Sequence, residues 1–231
     1  MKAAADPAHA AHATHTVHDA SSAAPATEPS PATLHSSWRS GWYGAAQRVP
    51  SPNFGPRPAG AAIDLLVLHS ISLPPGAYGG PQIEQLFTNT LDFDAHPYFQ
   101  TIRGLQVSAH FVVRRDGSLL QFVSCDDRAW HAGASSWNGR SQCNDNSIGI
   151  ELEGLEGTPF DAAQYPALAQ LVLAIAQHYP IAQIVGHEHI APGRKHDPGA
   201  GFDWRRLQQL TGWADARFAP QALQPSLGQI S

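Results

Sequence analysis

The stretch AIDLLVLHS, residues 62–70, is a nearly continuous apolar run that ends in a histidine and a serine. Such a run is typical of a strand that is buried on both faces of a sheet. A second stretch, SIGIELEG at 147–154, alternates between apolar residues and residues that include Glu151 and Glu153. Alternation of this kind predicts a strand with two different faces. The two stretches together predict a sheet with a buried centre.

Strand and helix patterns alternate on both sides of these runs. VSAHFVV and SLLQFVS flank an Asp-Gly pair, Asp116 and Gly117, which predicts a hairpin. Apolar residues at helical spacing predict helices over 81–87, 161–179 and 203–210, the last with Asp203 as its cap, and a short strand over 182–185. The expected fold is therefore α/β, a single domain with a mixed central β-sheet flanked by helices.

Composition divides the chain into a folded part and two tails. Residues 1–37 are rich in Ala, His, Pro and Ser and contain almost nothing large and apolar, which predicts a disordered tail. Within it His9, His12, His15 and His18 recur every third residue, and a metal-scavenging helix is the alternative. We expect a domain over 38–215 and a C-terminal tail over 216–231.

Overall charge and composition argue against several classes of function. The net charge is −5, so nucleic acid is not an expected partner, and membrane binding is not expected either. The first residues lack the apolar part of a secretory signal, which predicts a cytoplasmic protein. Two cysteines, Cys125 and Cys143, are expected to be reduced thiols. We expect a monomer.

The stretch GHEHIAPGRKHDPG, 186–199, concentrates groups that could bind metal or move a proton. His69 and His187 both follow predicted strands, where side chains leave the sheet. Asp197, followed by Pro and Gly, is a candidate third ligand beside His187. On the residues alone, ordinary polar groups without a ligand are the favoured interpretation.

Five blocks raise the specificity of this pattern: VLHSISLPPGAYGGPQIEQLF, DAHPYFQTIRGLQVSAHFVVRRDGSLLQFV, RAWHAG, CNDNSIGIELEG and GHEHIAPGRKHDPG. In this order and spacing, over about 41–210, they resemble the type-2 N-acetylmuramoyl-L-alanine amidases. They resemble more closely the cytosolic members that recycle 1,6-anhydro-muropeptides. The resemblance implies a fold shared with peptidoglycan-recognition proteins and a muropeptide as a small-molecule substrate.

The same resemblance implies roles for individual residues. It places zinc, Zn²⁺, on His69, His187 and Asp197, a general base on Glu151 and a catalytic lysine on Lys195. Two imidazoles and one carboxylate would leave a zinc position open for water, as hydrolysis requires. The implied reaction is hydrolysis of the amide between the lactyl group of (1,6-anhydro)-N-acetylmuramic acid and L-alanine, in cell-wall recycling.

Four further residues are candidates for binding the substrate. Trp130 could stack on a sugar face, with His131 beside it, although packing is an equal alternative for the tryptophan. Arg128 and Arg140 could hold peptide carboxylates as bidentate forks. The closest family pattern would have an arginine where this chain has Gln142.

Other polar residues have simpler expected roles. Solvated loop positions are expected for Glu188, His189 and His196, although His189 could also be a donor to Asp197 or to water. We expect Glu153 to form a salt bridge or cap, and His110 to be a buried structural histidine.

Three alternative functions follow from the same sequence. A non-catalytic peptidoglycan-recognition module would keep the fold, and an amidase of ordinary peptidoglycan would keep the chemistry. An unrelated zinc peptidase is disfavoured, because HEHIA does not supply His-Glu-x-x-His on a helix.

Overall fold

The computed structural model of the chain describes residues 37–224. Residues 1–36 and 225–231, with most of the predicted N-terminal tail, its histidine repeat and the end of the predicted C-terminal tail, lie outside the described residues. Within 37–224, no helix is both long and apolar enough to cross a membrane.

Most of the strands are short, and six of them build the main sheet. The strands of the described region are β1 Trp38–Arg39, β2 Trp42–Tyr43, β3 Gln47–Arg48, β4 Phe54–Gly55, β5 Leu65–Ile71, β6 Phe111–Val113, β7 Leu119–Gln121, β8 Arg128–Ala129, β9 Ser136–Trp137, β10 Arg140–Ser141, β11 Ser147–Glu153 and β12 Gln183–Gly186. The sheet order is β12-β5-β11-β6-β7-β3, and the remaining six strands form two-stranded pairs.

The centre of the main sheet is parallel. β5 pairs in parallel with β12 on one side and β11 on the other, and β11 pairs in parallel with β6. The predicted hairpin is present, since β6 and β7 are antiparallel around a turn that contains Gly117 at φ +85°. The positive φ explains the glycine, because other residues rarely adopt this conformation. The prediction of a mixed α/β sheet is confirmed.

Five helices surround the sheet in the described residues: α1 Gln82–Phe87, α2 Pro97–Thr101, α3 Gln164–His178, α4 His187–Ile190 and α5 Trp204–Thr211, with 3₁₀ turns at Cys143–Asp145 and Asp215–Arg217. Pro166 lies in the first turn of α3, where a missing N–H breaks no helical hydrogen bond. Asp203 caps α5, and its side chain accepts a hydrogen bond from the Arg206 N–H at 2.9 Å.

The two faces of the sheet bury different clusters. The Leu66 and Leu68 side chains of β5 and the Ile148, Ile150 and Leu152 side chains of β11 belong to one core, which they share with α3. Because successive side chains of a strand point to opposite faces, His69 and Glu151 project from the other face. The helix α3 therefore covers one side of the sheet and leaves the polar residues on the opposite side.

The folded unit continues beyond residue 215, where we had expected it to end. Phe218 and Ala219 are buried, and Phe218 forms a parallel bridge with Ile184 of β12. Leu223 is also buried in the same core. The boundary at 215 was wrong because this short segment adds an edge contact to the sheet without a periodic pattern of its own.

Candidate active site

Two adjacent parallel strands and the helix after a third strand carry the polar centre. His69 near the end of β5 is the register partner of Glu151 on β11. His187 is the first residue of α4 and directly follows β12, which lies on the other side of β5. The sheet therefore brings together three residues that are separated by up to 118 positions in the chain.

Asp197 reaches this centre from the loop after α4. Its backbone carbonyl accepts a hydrogen bond from the Glu188 N–H at 2.9 Å, which fixes the loop to the helix. Its Oδ2 lies 3.2 Å from His69 Nδ1 and 3.1 Å from His187 Nδ1, and the two Nδ1 atoms are 3.0 Å apart. One donor atom from each of His69, His187 and Asp197 lies within 4.8 Å of the other two.

The contact of His187 with Ala132 determines which nitrogen of its ring faces His69 and Asp197. His187 Nε2 lies 3.1 Å from the carbonyl oxygen of Ala132, which can only accept, so Nε2 carries the proton. The other ring nitrogen, Nδ1, therefore faces Asp197 and His69.

Burial also disfavours a positive charge on His69. It lowers the pKa of this imidazole to about 4, so a proton on the ring is disfavoured at neutral pH. Burial alone would raise the pKa of Asp197, but the neighbouring imidazoles of His187 and His69 outweigh it and hold the pKa well below its usual range. An anionic carboxylate between two buried imidazoles is a donor set suited to a divalent metal ion.

Glu151 lies beside this triad. It is partly buried, and among residues 37–224 no hydrogen-bond partner reaches its Oε2 atom. Burial, followed by repulsion from Asp197, raises the pKa of Glu151 well above its usual range, while the ammonium group of Lys195 opposes the shift. A carboxylate with a raised pKa and a free oxygen is suited to accept a proton.

A cavity of ≈570 Å³ opens over these residues. Its polar side contains His69, Glu151, His187, Asp197 and the exposed Lys195. The other side is lined by apolar and aromatic residues from α1, α2 and the segment before β6: Leu86, Phe87, Tyr98, Ile102, Leu105 and Val107. The site can therefore bind a molecule that has both a polar reacting group and an apolar surface.

The four residues predicted to bind substrate separate into two groups. Trp130 and His131 line the cavity. Arg140 instead makes a bidentate ion pair with Asp64, with both distances 2.9 Å, just before the start of β5 and thus at the opposite end from His69. Arg128 donates to Asp145, and neither arginine belongs to the cavity lining in the described chain. Both arginines thus have carboxylate partners within the protein, and their role as carboxylate forks for a substrate stays a prediction.

Three residues of the 186–199 stretch also differ from expectation. Glu188 and His189 are partly buried in α4 rather than solvated in a loop. His189 Nδ1 accepts the Gly186 N–H at 2.8 Å, so it caps α4. Only His196 is exposed as expected. The predictions for Glu153 and His110 agree with the structure, since Glu153 pairs with Arg114 and His110 is fully buried.

Arg194 is a cavity residue to which sequence reasoning gave no role. Its Nη2 donates to the carbonyl oxygens of Ala132, at 2.9 Å, and Ala134. It thereby ties the loop that carries Asp197 to the segment after Trp130. The motif GRKHDPG contains Arg194, but its partners lie about 60 residues away, and no local pattern reveals them.

Comparison with known proteins agrees with this arrangement. The family model described as N-acetylmuramoyl-L-alanine amidase matches residues 59–200. The 1,6-anhydro-N-acetylmuramyl-L-alanine amidase AmpD of Citrobacter freundii is 53% identical over 172 residues, which cover 74% of this chain and 92% of that protein. AmpD of Escherichia coli K12 is also 53% identical over 172 residues, covering 74% and 94%.

Solved structures extend the likeness to the fold. A crystal structure of a selenomethionine AmpD derivative superposes with a TM-score of 0.73 at 53% identity, covering 74% of this chain and 97% of that chain. An endolysin amidase, LysCS of Clostridium intestinale, has a TM-score of 0.52 at 17% identity and shares the fold alone. The matched region includes every residue of the polar centre, and the chain therefore belongs to the N-acetylmuramoyl-L-alanine amidase family and is itself an amidase.

Proposed function

We propose that this chain is a zinc-dependent amidase that cleaves the bond between the lactyl group of 1,6-anhydro-N-acetylmuramic acid and L-alanine in muropeptides. The observation that carries the proposal is the convergence of acceptor atoms of His69, His187 and Asp197 next to Glu151, within a cavity. We further propose that the enzyme acts in cell-wall recycling in the cytoplasm.

The donor set supports zinc as the cofactor. Two imidazole nitrogens and one carboxylate oxygen are the ligands of many catalytic zinc sites, which keep a further position open. His187 Nδ1 lies 3.1 Å from the Asp197 carboxylate oxygen, and a divalent cation would stabilise that carboxylate. Zinc held there would supply Lewis acidity, which activates water and polarises a carbonyl group.

Glu151 would transfer the proton, and Lys195 would stabilise the negative charge that develops on the carbonyl oxygen. Glu151 takes a proton from the water that attacks the amide carbonyl carbon, and then donates it to the departing alanine nitrogen. Lys195 lines the cavity and is exposed, so its ammonium group can approach the carbonyl oxygen, where negative charge develops. The C–N bond breaks as the nitrogen receives the proton, which gives a lactyl carboxylic acid and a free amine. Transfer of the acid proton to the amine then leaves a carboxylate and an ammonium group.

The shape of the cavity supports a muropeptide as substrate. The apolar wall formed by α1, α2 and Leu105 faces the polar centre. Trp130 is partly exposed on the cavity surface, where its ring can stack on a sugar. The AmpD relatives are named for the 1,6-anhydro sugar, and we extend that substrate to this chain on the strength of 53% identity.

A matched pair of substrates tests the proposal. We expect kcat/KM for an anhydro-muramyl tripeptide to exceed that for the same tripeptide on a reducing sugar by roughly 10-fold to 200-fold, the usual discrimination by one pocket feature. Equal values would refute the anhydro specificity and leave the amidase chemistry standing. Turnover that survives complete removal of metal, verified by metal analysis, would refute the zinc dependence.

A further inference from the structure

The imidazole of His131 contacts the side of His69 that faces away from the metal position. His131 Nδ1 lies 2.9 Å from His69 Nε2, and the two rings meet edge to face with centroids 5.0 Å apart. His131 is 9% exposed, so most of its ring is packed inside the protein. This contact with His69 is additional to the place of His131 in the cavity lining.

The hydrogen bonds beyond His131 have only one consistent direction. The Ser147 hydroxyl donates its single proton to the carbonyl oxygen of Cys143. Ser147 Oγ can therefore only accept from His131 Nε2, which lies 3.3 Å away. With its proton on Nε2, a neutral His131 has a lone pair on Nδ1, and it accepts the Nε2 proton of His69.

The direction of these hydrogen bonds determines which nitrogen of His69 faces the metal position. His69 with its proton on Nε2 presents the lone pair of Nδ1 to the point shared with His187 and Asp197. The next residue does the same for the other histidine, because the Ala132 carbonyl accepts the Nε2 proton of His187 at 3.1 Å. Two consecutive residues thus orient both imidazoles.

A further segment, which contains Asn144, holds His131 and Ala132 in place. Asn144 Oδ1 accepts the backbone N–H groups of His131, at 3.1 Å, and Ala132, at 2.8 Å. Asn144 itself is buried. Since both hydrogen bonds end on one oxygen atom, the two residues are fixed relative to each other.

Strand β11 leaves room for the His131 ring. A Cβ atom on Gly149 would lie 2.4 Å from His131 Cγ, a distance that atoms in contact do not reach. The glycine is therefore required by the position of this ring, independently of the hydrogen bonds.

We propose that His131 is a positioning residue, which fixes the tautomer and orientation of His69 for metal binding through the Ser147–His131–His69 hydrogen bonds. This role rests on the proposed function, since it requires His69 to be a metal ligand. Hydrogen-bond partners of a metal-bound histidine typically change metal affinity by about 10-fold to 100-fold.

Two amide substitutions in the full chain separate this role from simple packing. The amide oxygen in His131→Asn occupies the place of Nδ1 and can still accept from His69. In His131→Gln the amide lies one methylene further out, near the place of Nε2. We expect zinc dissociation constants, measured by competition with a chelator, to stay within about threefold of the parent for His131→Asn and to rise about 10-fold to 100-fold for His131→Gln.

Controls make the outcome decisive. His131→Phe removes both nitrogens, so it should lose zinc affinity as His131→Gln does, and the unfolding temperature of the chelated protein measures what the larger ring costs by overpacking. His178→Phe removes an exposed histidine that stacks on Trp38, and it should bind zinc as the parent does.

Equal affinity of the parent, His131→Gln and His131→Phe, or equal losses in His131→Asn and His131→Gln, would overturn the positioning role of His131. A parent chain without zinc affinity would refute the proposed function itself.

Discussion

One side-chain atom from each of His69, His187 and Asp197 meets the others at one point in this protein, where a bound cation would contact all three. His69 and His187 are almost fully buried, and Asp197 is 9% exposed. A charge in such surroundings interacts strongly with its neighbours, because little water screens it. Each of the three residues should therefore be necessary for metal binding, while the exposed His196 beside Asp197 should not.

We expect His69→Ala, His187→Ala and Asp197→Ala each to remove tightly bound zinc and activity together. The control is His196→Ala, which changes an exposed neighbour of Asp197 and should retain most of both. Metal analysis of the purified variants, alongside amide hydrolysis, measures the outcome. Loss of zinc from His196→Ala with retention in Asp197→Ala would contradict the ligand assignment.

Glu151 should behave differently from the ligands. We expect Glu151→Gln to keep its zinc while kcat falls by roughly 100-fold to 10,000-fold, the usual contribution of a positioned general base. The amide has nearly the same shape but cannot accept the proton from water. Near-normal turnover with zinc bound would exclude Glu151 as the base.

At the scale of the element, β11 combines two functions in alternate residues. Ile148, Ile150 and Leu152 pack into the core that α3 covers, whereas Gly149 and Glu151 face the site. Gly149 also donates its N–H to His110 Nδ1 at 3.0 Å. The strand is therefore constrained on both faces, and a single added methyl group can disturb it.

We expect Gly149→Ala to lower the free energy of unfolding by about 1–3 kcal/mol, because the new Cβ must displace the His131 ring. It should also weaken zinc binding. Gly55→Ala in β4 is the matched control, since no atom lies within 4 Å of its Cβ position, and a change below about 0.5 kcal/mol is expected. Urea unfolding of both variants measures the difference. Equal stability of Gly149→Ala and the parent would show that the ring can move freely.

The elements could be predicted from sequence where local periodicity is strong. The apolar run at 62–70 became β5, and Asp203 became the cap of α5. Family membership and the fold are likewise confirmed. Side-chain partners far apart in the chain could not be predicted: Arg140 pairs with Asp64, 76 residues away, and His131 contacts His69 across 62. These pairings depend on how the strands pack, which no local pattern encodes.

At the scale of the whole molecule, the two ends of the chain should contribute unequally to stability. The segment after residue 215 carries Phe218, Ala219 and Leu223, all buried. Residues 1–36 contain few large apolar side chains that could add to a core.

We expect deletion of residues 1–36 to leave kcat/KM and the unfolding temperature nearly unchanged. Deletion of 216–231 should cost at least about 3 kcal/mol of unfolding free energy, because it removes a buried phenylalanine from the core. Thermal and urea unfolding of the two truncated chains, with the same activity assay, provide the comparison. A large loss from the N-terminal deletion would mean that this segment docks on the domain.

The residues of the triad come from segments of two kinds, the sheet and a loop, and different motions would release them. His69 and His187 are anchored in or directly after parallel strands at the centre of the sheet, whereas Asp197 arrives on a loop tied to α4 by the Glu188 N–H. Opening that loop would release one ligand without breaking any strand pairing, while freeing the histidines requires the sheet itself to open. The rate at which bound metal exchanges should therefore follow the opening of the 191–199 loop, and the slowest amide protons of β5 and β11 should exchange only when the whole domain unfolds.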